Sequence, residues 1–290
     1  MITFFGTGLL GSGFVRALRR RGEEVQVWNR TPAKARALEA DGARAFEDAA
    51  EAARGAARIH LSLSDDAAVD DVLERARPGF GPGVILVDHT TTSPTGTRER
   101  ARRWAESGIE FIHAPVFMGP QNALESTGIM LASGPRARFD GLAPELGKMT
   151  GKLLYMGPEP ERAASFKLLG NMFLMFMTSG LAEVLGFAKA VGIAPADAAA
   201  LFDSFNPGAS LPARLKRMLA ADFVHPSWEL TMARKDARLM IEEAELRGAP
   251  LAVLPSIADE MDRFIARGHG HDDWTVLAKD ALSGPATRRG

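Results

Sequence analysis

Cysteine is absent from the 290 residues, which excludes disulfides, thiolate metal sites and cysteine nucleophiles together. An excess of one charge is missing too. With 35 Lys and Arg against 36 Asp and Glu, the formal net charge is -1, so the overall balance attracts neither nucleic acid nor an acidic membrane. No basic leader precedes the opening apolar residues Met1-Ile-Thr-Phe-Phe; no signal or transit peptide is expected, and a cytoplasmic location fits. Internal repeats and low-complexity segments are lacking, and long apolar runs are reduced to one. What remains is an ordinary soluble composition, 46% hydrophobic and 24% charged, long enough for about two domains.

The one long apolar run extends from Ala163 to Gly192 without a proline. Its apolar residues continue round every face, which reads as a long buried helix rather than an amphipathic surface one. A membrane span is the competing reading. Lys167, Asn171 and Glu183 interrupt it, and no second segment approaches the ~20 apolar residues a bilayer requires. Gly170, Gly180, Ala182 and Gly186 are small enough to let neighbouring helices come close. Lys167 and Asn171, four residues apart, project from one face. There the amine is either paired, shifted to a lower pKa by burial, or snorkelling to solvent from the first turns.

At the other end of the chain, residues 2 to 5 form an apolar strand that runs into Gly6-Thr-Gly8-Leu-Leu-Gly11 and then a helical pattern to Arg21-Gly22. In such a turn Gly6 permits the bend, Gly8 lets backbone approach a pyrophosphate, and Gly11 lets helix and strand pack closely. A second strand, Glu24 to Trp28, falls where a dinucleotide fold needs it. It ends in Asn29-Arg30-Thr31, with no acidic residue for a ribose 2′-hydroxyl. Arg30 can pair with a 2′-phosphate and Asn29 and Thr31 can donate hydrogen bonds, so NADP is favoured over NAD. Thr31-Pro32 also reads as an N-cap and first-turn proline, which leaves Arg30 free. Arg19-Arg20-Arg21 reads as a solvated helix end.

Apolar strands then alternate with helical patterns: Arg58 to Leu63, Val84 to Val87 and Ile109 to Ile112. This predicts an α/β fold with a Rossmann-type doubly wound sheet, helices on both faces and ligands at the carboxyl ends of the strands. Leu63 and Ser64 stand at such an end, as does Asp88-His-Thr-Thr91. Two further strands, Gly128 to Leu131 and Lys152 to Tyr155, are expected to close the domain. After Gly192 the pattern is helical, with helices expected over 195–205, 212–221, 230–247 and 251–267. The expected organisation is therefore a dinucleotide-binding domain over 1–162 and an all-helical C-terminal domain over 163–290, joined by the interdomain helix 163–192. His269-Gly-His271-Asp-Asp273 invites a metal reading, but nothing further along the sequence supplies another ligand, and no metal is expected.

In this order the motifs resemble the β-hydroxyacid dehydrogenase family, which contains 3-hydroxyisobutyrate dehydrogenases, tartronate semialdehyde reductases and glyoxylate/succinic semialdehyde reductases. Gly6-Thr7-Gly8-Leu9-Leu10-Gly11 resembles the family's cofactor turn, and Asp88-His-Thr-Thr91 its Asp-x-Ser-Thr motif, with Thr91 at the cofactor-contacting place. His113-Ala-Pro-Val-Phe117-Met118-Gly119 is similar to the substrate-binding segment, continued by Ala123 and Thr127. Lys167-Leu-Leu-Gly-Asn171 resembles Lys-x-x-Asn-Asn, and Trp228 through Met232 to Lys235-Asp236 resembles a segment whose lysine reaches the cofactor from the second domain. The resemblance implies a small-molecule carbonyl or hydroxy substrate, Lys167 as proton donor and acceptor with Asn171 holding it, and Lys235 and Asp236 closing the site. It also implies a homodimer or homotetramer through the helical domain.

The departures from the family pattern fall at the substrate. Phe117 and Met118 stand for a serine and a glycine, Gly170 for the first Asn of the helix motif, and His113 for an aspartate, while Glu159-Pro-Glu-Arg162 replaces a glycine-rich approach. A hydroxyl that would help hold a carboxylate is missing, although the backbone at Gly119 remains a possible anion donor. A substrate less anionic or more apolar at that end is expected. Two alternatives stay open: an imine reductase, which fits Phe117 and Met118 but not Lys167, and a non-catalytic NADP-binding protein, which has no need of Lys167, Asn171 and Lys235 together.

Overall fold

The structure, a computed structural model, describes residues 1–283. Two compact units make up the chain, Met1–Met172 and a second beginning at Phe173. The first unit thus takes in the opening turns of the long helix, which the sequence assigns to the C-terminal domain; residues 284–290 of that domain lie outside the described residues.

The first unit starts with β1 (Ile2–Phe5), α1 (Leu9–Arg20), β2 (Val25–Trp28), α2 (Pro32–Arg36), β3 (Arg44–Phe46) and α3 (Ala49–Ala53). It continues through β4 (Arg58–Leu61), α4 (Asp66–Ala76), β5 (Ile85–Asp88), α5 (Pro94–Glu106) and β6 (Glu110–His113). These strands form one parallel sheet in the order β3-β2-β1-β4-β5-β6, the doubly wound arrangement in which the chain reverses direction across the sheet between β1 and β4. The central strands are buried on both faces, their polar Thr3 and His60 included, because both sides of the sheet are covered. Phe14, Val15 and Leu18 pack on one face, and Val69, Leu73 and Trp104 on the other. Helix starts follow the side chains that cap them: Asp48 accepts the Glu51 N–H, Asp65 that of Ala68, and Ser93 that of Gly96.

Beyond β6 the chain forms β7 (Val116–Phe117), α6 (Pro120–Glu125), β8 (Ile129–Ala132), α7 (Arg136–Gly147) and β9 (Lys152–Tyr155). The expected strands β8 and β9 do not extend the main sheet. They form a separate sheet in the order β7-β8-β9, with β7 antiparallel to β8. Neither β3 nor β7 is evident from the sequence, because three and two residues are too few to establish a period.

α8 (Arg162–Ala190) is the long helix. It is long and apolar enough to cross a membrane by length and composition, and the burial expected for it is not supplied within this chain. Met175 and Phe176 keep 67% and 65% of their surface, and Met172, Phe173, Leu174, Leu181 and Leu185 are exposed as well. An all-round apolar pattern records that a helix needs cover; it does not say which chain supplies it. Of the small residues, Gly170 is closely approached, its Cβ place lying 2.3 Å from Phe117 Cζ, whereas a Cβ at Gly180 or Gly186 would meet nothing within 4 Å.

The second unit continues with α9 (Pro195–Ser204), α10 (Leu211–Ala220), α11 (Leu230–Leu246), α12 (Leu254–Phe264) and α13 (Lys279–Leu282). Its core lies between α11 and α12, around Leu230, Ala237, Met261, Phe264 and Val276. Glu183, the acidic interruption of α8, accepts hydrogen bonds from the backbone N–H groups of Ala252, Val253 and Leu254 at the entry to α12. A charge placed mid-helix for that purpose belongs to a folded helical unit and fits a membrane span poorly.

Candidate functional site

A cavity of about 590 Å³ opens at the carboxyl ends of β1, β2, β4 and β5. Gly6, Gly8, Leu9, Leu10 and Gly11 line it from the first turn, Asn29, Arg30 and Thr31 from the end of β2, and Leu63, Ser64 and Thr91 from the ends of β4 and β5. Met118 and Lys167 complete it from the far side of the sequence. The first turn is built for close approach. Gly6 has φ +89° and a Cβ there would stand 2.2 Å from the Ser62 carbonyl, while a Cβ on Gly11 would stand 1.9 Å from that of Gly6. No side chain caps α1 at Gly8, so its first-turn N–H groups are available to an anion in the cavity. This cradle fits the pyrophosphate of a dinucleotide.

The end of β2 differs in detail from expectation. Asn29 spends its side chain as a staple: its Oδ1 accepts the Thr7 N–H at 2.9 Å and its Nδ2 donates to the Thr31 carbonyl at 3.0 Å. Thr7 itself is buried behind the cavity wall. Thr31 occupies the N-cap position of α2 with Pro32 after it, but its hydroxyl makes no capping bond. Arg30 is exposed, and two cations not singled out by the sequence, Lys34 and Arg75, join it on the cavity wall. Lys34 was legible as the next turn of the helix that Thr31-Pro32 begins; Arg75 on α4 was not.

The floor is a hydrogen-bonded lattice of histidines and threonines. Arg58 Nε donates to His60 Nε2 at 2.8 Å, so the His60 proton is on Nδ1 and donates to His89 Nε2, 2.8 Å away. His89 is then left with Nδ1–H, which donates to the Ala114 carbonyl at 2.7 Å. Both rings are buried and stacked with centroids 5.1 Å apart. Burial depresses their pKa values, His60 well below the ordinary value and His89 to about 4. His113, in the place of the family's aspartate, is buried and also pushed down to about 4 by burial; its Nε2–H donates to the Thr90 carbonyl at 2.9 Å. Asp88 Oδ1 accepts the Thr90 N–H and Thr90 Oγ1 accepts the Leu63 N–H. Burial raises the Asp88 carboxyl to about 6 despite the fully buried Arg100 guanidinium 4.0 Å away. His89 and Thr90, next to the expected Thr91, are therefore wall residues that the motif contained without marking.

Lys167 is delivered by the anchored start of α8. Ser133 Oγ donates to the Pro160 carbonyl at 2.7 Å and accepts the Ala163 N–H at 3.1 Å, and Ala163 and Ala164 are fully buried. The Lys167 amine is half-buried, lies 4.3 Å from the centroid of the Phe117 ring and has its pKa lowered by burial. Asn171, one turn on, is half-buried but outside the cavity lining. The expected anion donor at Gly119 is already engaged, because its N–H donates to Asn122 Oδ1 at 2.9 Å. Asn122, which the sequence did not single out, also donates to Thr127 Oγ1 at 3.0 Å, and Ala123 is in the core. Lys235 lies on α11 of the second unit with its Nζ 2.5 Å from Asp236. His269 pairs with Asp272 and Lys279, His271 with Glu229, and Asp273 with Ser227 and Thr275. Among the described residues no cluster of three His, Asp or Glu is placed to hold a metal ion.

Comparison with known proteins agrees with this geometry. The family model for the NAD binding domain of 6-phosphogluconate dehydrogenase matches residues 1–157, and that for the NAD-binding of NADP-dependent 3-hydroxyisobutyrate dehydrogenase matches residues 162–280. The chain is 24% identical to 2-(hydroxymethyl)glutarate dehydrogenase of Eubacterium barkeri, over 96% of this chain and 93% of that protein. Among solved structures, an imine reductase from Myxococcus stipitatus in complex with NADP+ superposes with a TM-score of 0.91 at 21% identity, covering 96% of this chain and 99% of that one. The imine reductase of Streptomyces aurantiacus gives 0.87 at 27% identity, covering 97% and 99%.

The buried histidines make the fold acid-sensitive. Above pH 6.5 they are neutral whether the chain is folded or not; below it only the unfolded chain binds their protons readily, so stability falls as pH drops from 6.5 towards 4. At pH 5 the loss is about 2 kcal/mol each for His89 and His113. Asp88 acts in the opposite sense, since its raised pKa favours the folded chain as pH falls through 6, and offsets part of it. Urea midpoints should therefore drop clearly between pH 7.5 and pH 5; equal midpoints would show that the histidines are not held neutral.

Proposed function

The chain belongs to the β-hydroxyacid dehydrogenase family, an NAD(P)-dependent oxidoreductase family, and from that premise we propose that it interconverts a small aldehyde or ketone, of the semialdehyde type, and its hydroxy acid or alcohol. The observation that carries this reading is the presence of the Lys167 amine on the wall of the same cavity as the glycine turn. The dinucleotide supplies or takes up the hydride. The protein's part is to bind it, to hold the carbonyl, and to move one proton. Gly6 through Gly11 would hold the pyrophosphate, with Leu63, Ser64 and Thr91 along the groove. Lys167 Nζ would donate a proton to the carbonyl oxygen during reduction and accept it during oxidation, its lowered pKa bringing the amine closer to working pH. Asn171 would steady that amine and the substrate oxygen.

NADP is the favoured cofactor, because exposed Arg30 and Lys34 put positive charge where the ribose end of the dinucleotide lies in this fold. Reduction of an imine is the second reading, favoured by apolar Phe117 beside the amine, by Met118 in the lining of the same cavity and by the likeness to the Streptomyces aurantiacus enzyme. A purely cofactor-binding role leaves the lysine in the cavity without a purpose. For the apolar surface of α8 we infer that a second copy of the chain covers it, giving a homodimer or homotetramer.

Three measurements test these readings. Lys167→Ala should lose at least about 100-fold in carbonyl turnover while NADPH affinity stays near wild type; a variant that keeps most of its activity removes the lysine from the chemistry. Arg30→Asp should weaken NADPH binding about tenfold or more and spare NADH, whereas equal losses for both would contradict a 2′-phosphate contact. Light scattering should give the mass of a dimer or tetramer in dilute solution, and a monomer would leave the exposed face of α8 unexplained.

A further inference from the structure

Two departures from the family pattern, recognised separately in the sequence, meet in the structure. A Cβ built on Gly170 would come within 2.3 Å of Phe117 Cζ and 2.6 Å of its Cε1. The ring of β7 therefore lies against α8 in the room that any side chain at position 170 would take. In that place its centroid is 4.3 Å from Lys167 Nζ. Lys167 is half-buried, and among the described residues it has no salt-bridge partner within 4.0 Å. The titratable groups sharing its cavity are His89, Arg30, Lys34, Asp71 and Arg75; the nearest charged residues in sequence are Arg162, which begins its own helix, and Glu161 just before it. Glu161 pairs with Arg98 and Arg162 lies 4.0 Å from Glu159, so neither serves the lysine. What the ammonium has instead is the negative face of an aromatic ring.

We propose that Phe117 is the positioning residue for Lys167, and that Gly170 is the gap that allows it. The ring stabilises the ammonium form and fixes where the amine sits; it takes over work that a polar neighbour on the helix would otherwise do. The two positions form a matched pair, so either change alone is harmful in the context of the other. This inference rests on the reading of Lys167 as the proton donor for its functional meaning, but the pairing itself stands or falls independently. Burial and the ring act on the amine in opposite directions: burial favours the neutral form, and the ring favours the charged one.

The test is a double-variant cycle read by titration of the Lys167 amine, using lysine labelled with carbon-13 at Cε and Lys167→Arg to assign the signal. Phe117→Leu keeps an apolar side chain but removes the π face, and the amine should titrate lower by roughly 0.5 to 1.5 pH units. Gly170→Ala should displace the ring and give the same shift. In Phe117→Leu/Gly170→Ala the second change should add nothing, because the atoms that the new methyl would strike are gone. Site-specific 3,5-difluorophenylalanine at position 117 keeps the ring shape, depletes its π face and should lower the titration part of the way. Shifts that add independently, or a fluorinated ring that changes nothing, would overturn the pairing. In turnover, reduction requires the ammonium, so the high-pH limb of kcat/KM should move down with the amine while NADPH affinity holds. A cycle that behaves as expected in titration, with no turnover of any carbonyl or imine by the wild type, would uphold the pairing and overturn the proton-donor reading.

Discussion

The hydrogen-bonded lattice at the ends of β4, β5 and β6 is the constraint on which the site depends. A parallel sheet brings several loop starts together at one edge, where backbone groups have no ladder partner. Here that edge is tied to the strands behind it: from Arg58 at the start of β4 a chain of donors runs through His60 to His89 and ends on the Ala114 carbonyl, and Asp88, Thr90 and His113 close the neighbouring loops. Each nitrogen of His60 and His89 has one defined role, so neither ring can take a proton without breaking a bond. The lattice fixes the cavity floor, and through Ala114 it fixes the start of the segment that carries Phe117 and Met118.

α8 supplies the other half of the arrangement by being held rigidly at chosen points and left apolar between them. Ser133 pins its first turn to the first unit, which sets the height at which Lys167 enters the cavity. Within the second unit Glu183 receives the free N–H groups ahead of α12. Of the polar residues that interrupt the apolar pattern, Lys167 reaches the cavity and Glu183 ties α8 to the entry of α12, while the apolar surface between them stays exposed. A lysine on such a helix is costly to bury unless something answers its charge; the ring of Phe117 does so without neutralising it.

How much of this was legible in the sequence follows from how local each feature is. The glycine turn could be read directly, because Gly6 and Gly11 are demanded by backbone atoms a few residues away or in the adjacent strand. The parallel order was readable from the strand–helix alternation. Lys167 was readable because a charge in an apolar run needs an explanation. Features made by distant segments were not readable. Phe117 and Gly170 each looked like a lost family residue, and only the packing of β7 on α8 shows them to be one change. His60 looked like an ordinary strand residue until the register placed it beside β5 and next to His89. Asn29 was read from its residue type as a cavity residue, and it does line the cavity, but its hydrogen bonds to Thr7 and Thr31 could not be read from the sequence. For α8 the apolar pattern shows that the helix favours cover, but not what provides it, because apolarity alone carries no information on the partner; the chain itself leaves that surface exposed.

The most direct test of the central claim, hydride transfer in the Lys167 cavity, is isotopic. The protein would be incubated with NADPH deuterated at C4, on each face in turn, together with small aldehydes with and without a carboxylate and a cyclic imine, and the products read by mass spectrometry. The account predicts a reduced product that carries the deuteron from one face of the cofactor only, with the carbonyl compounds labelled ahead of the imine. Bound cofactor with no labelled product from any of them would contradict it.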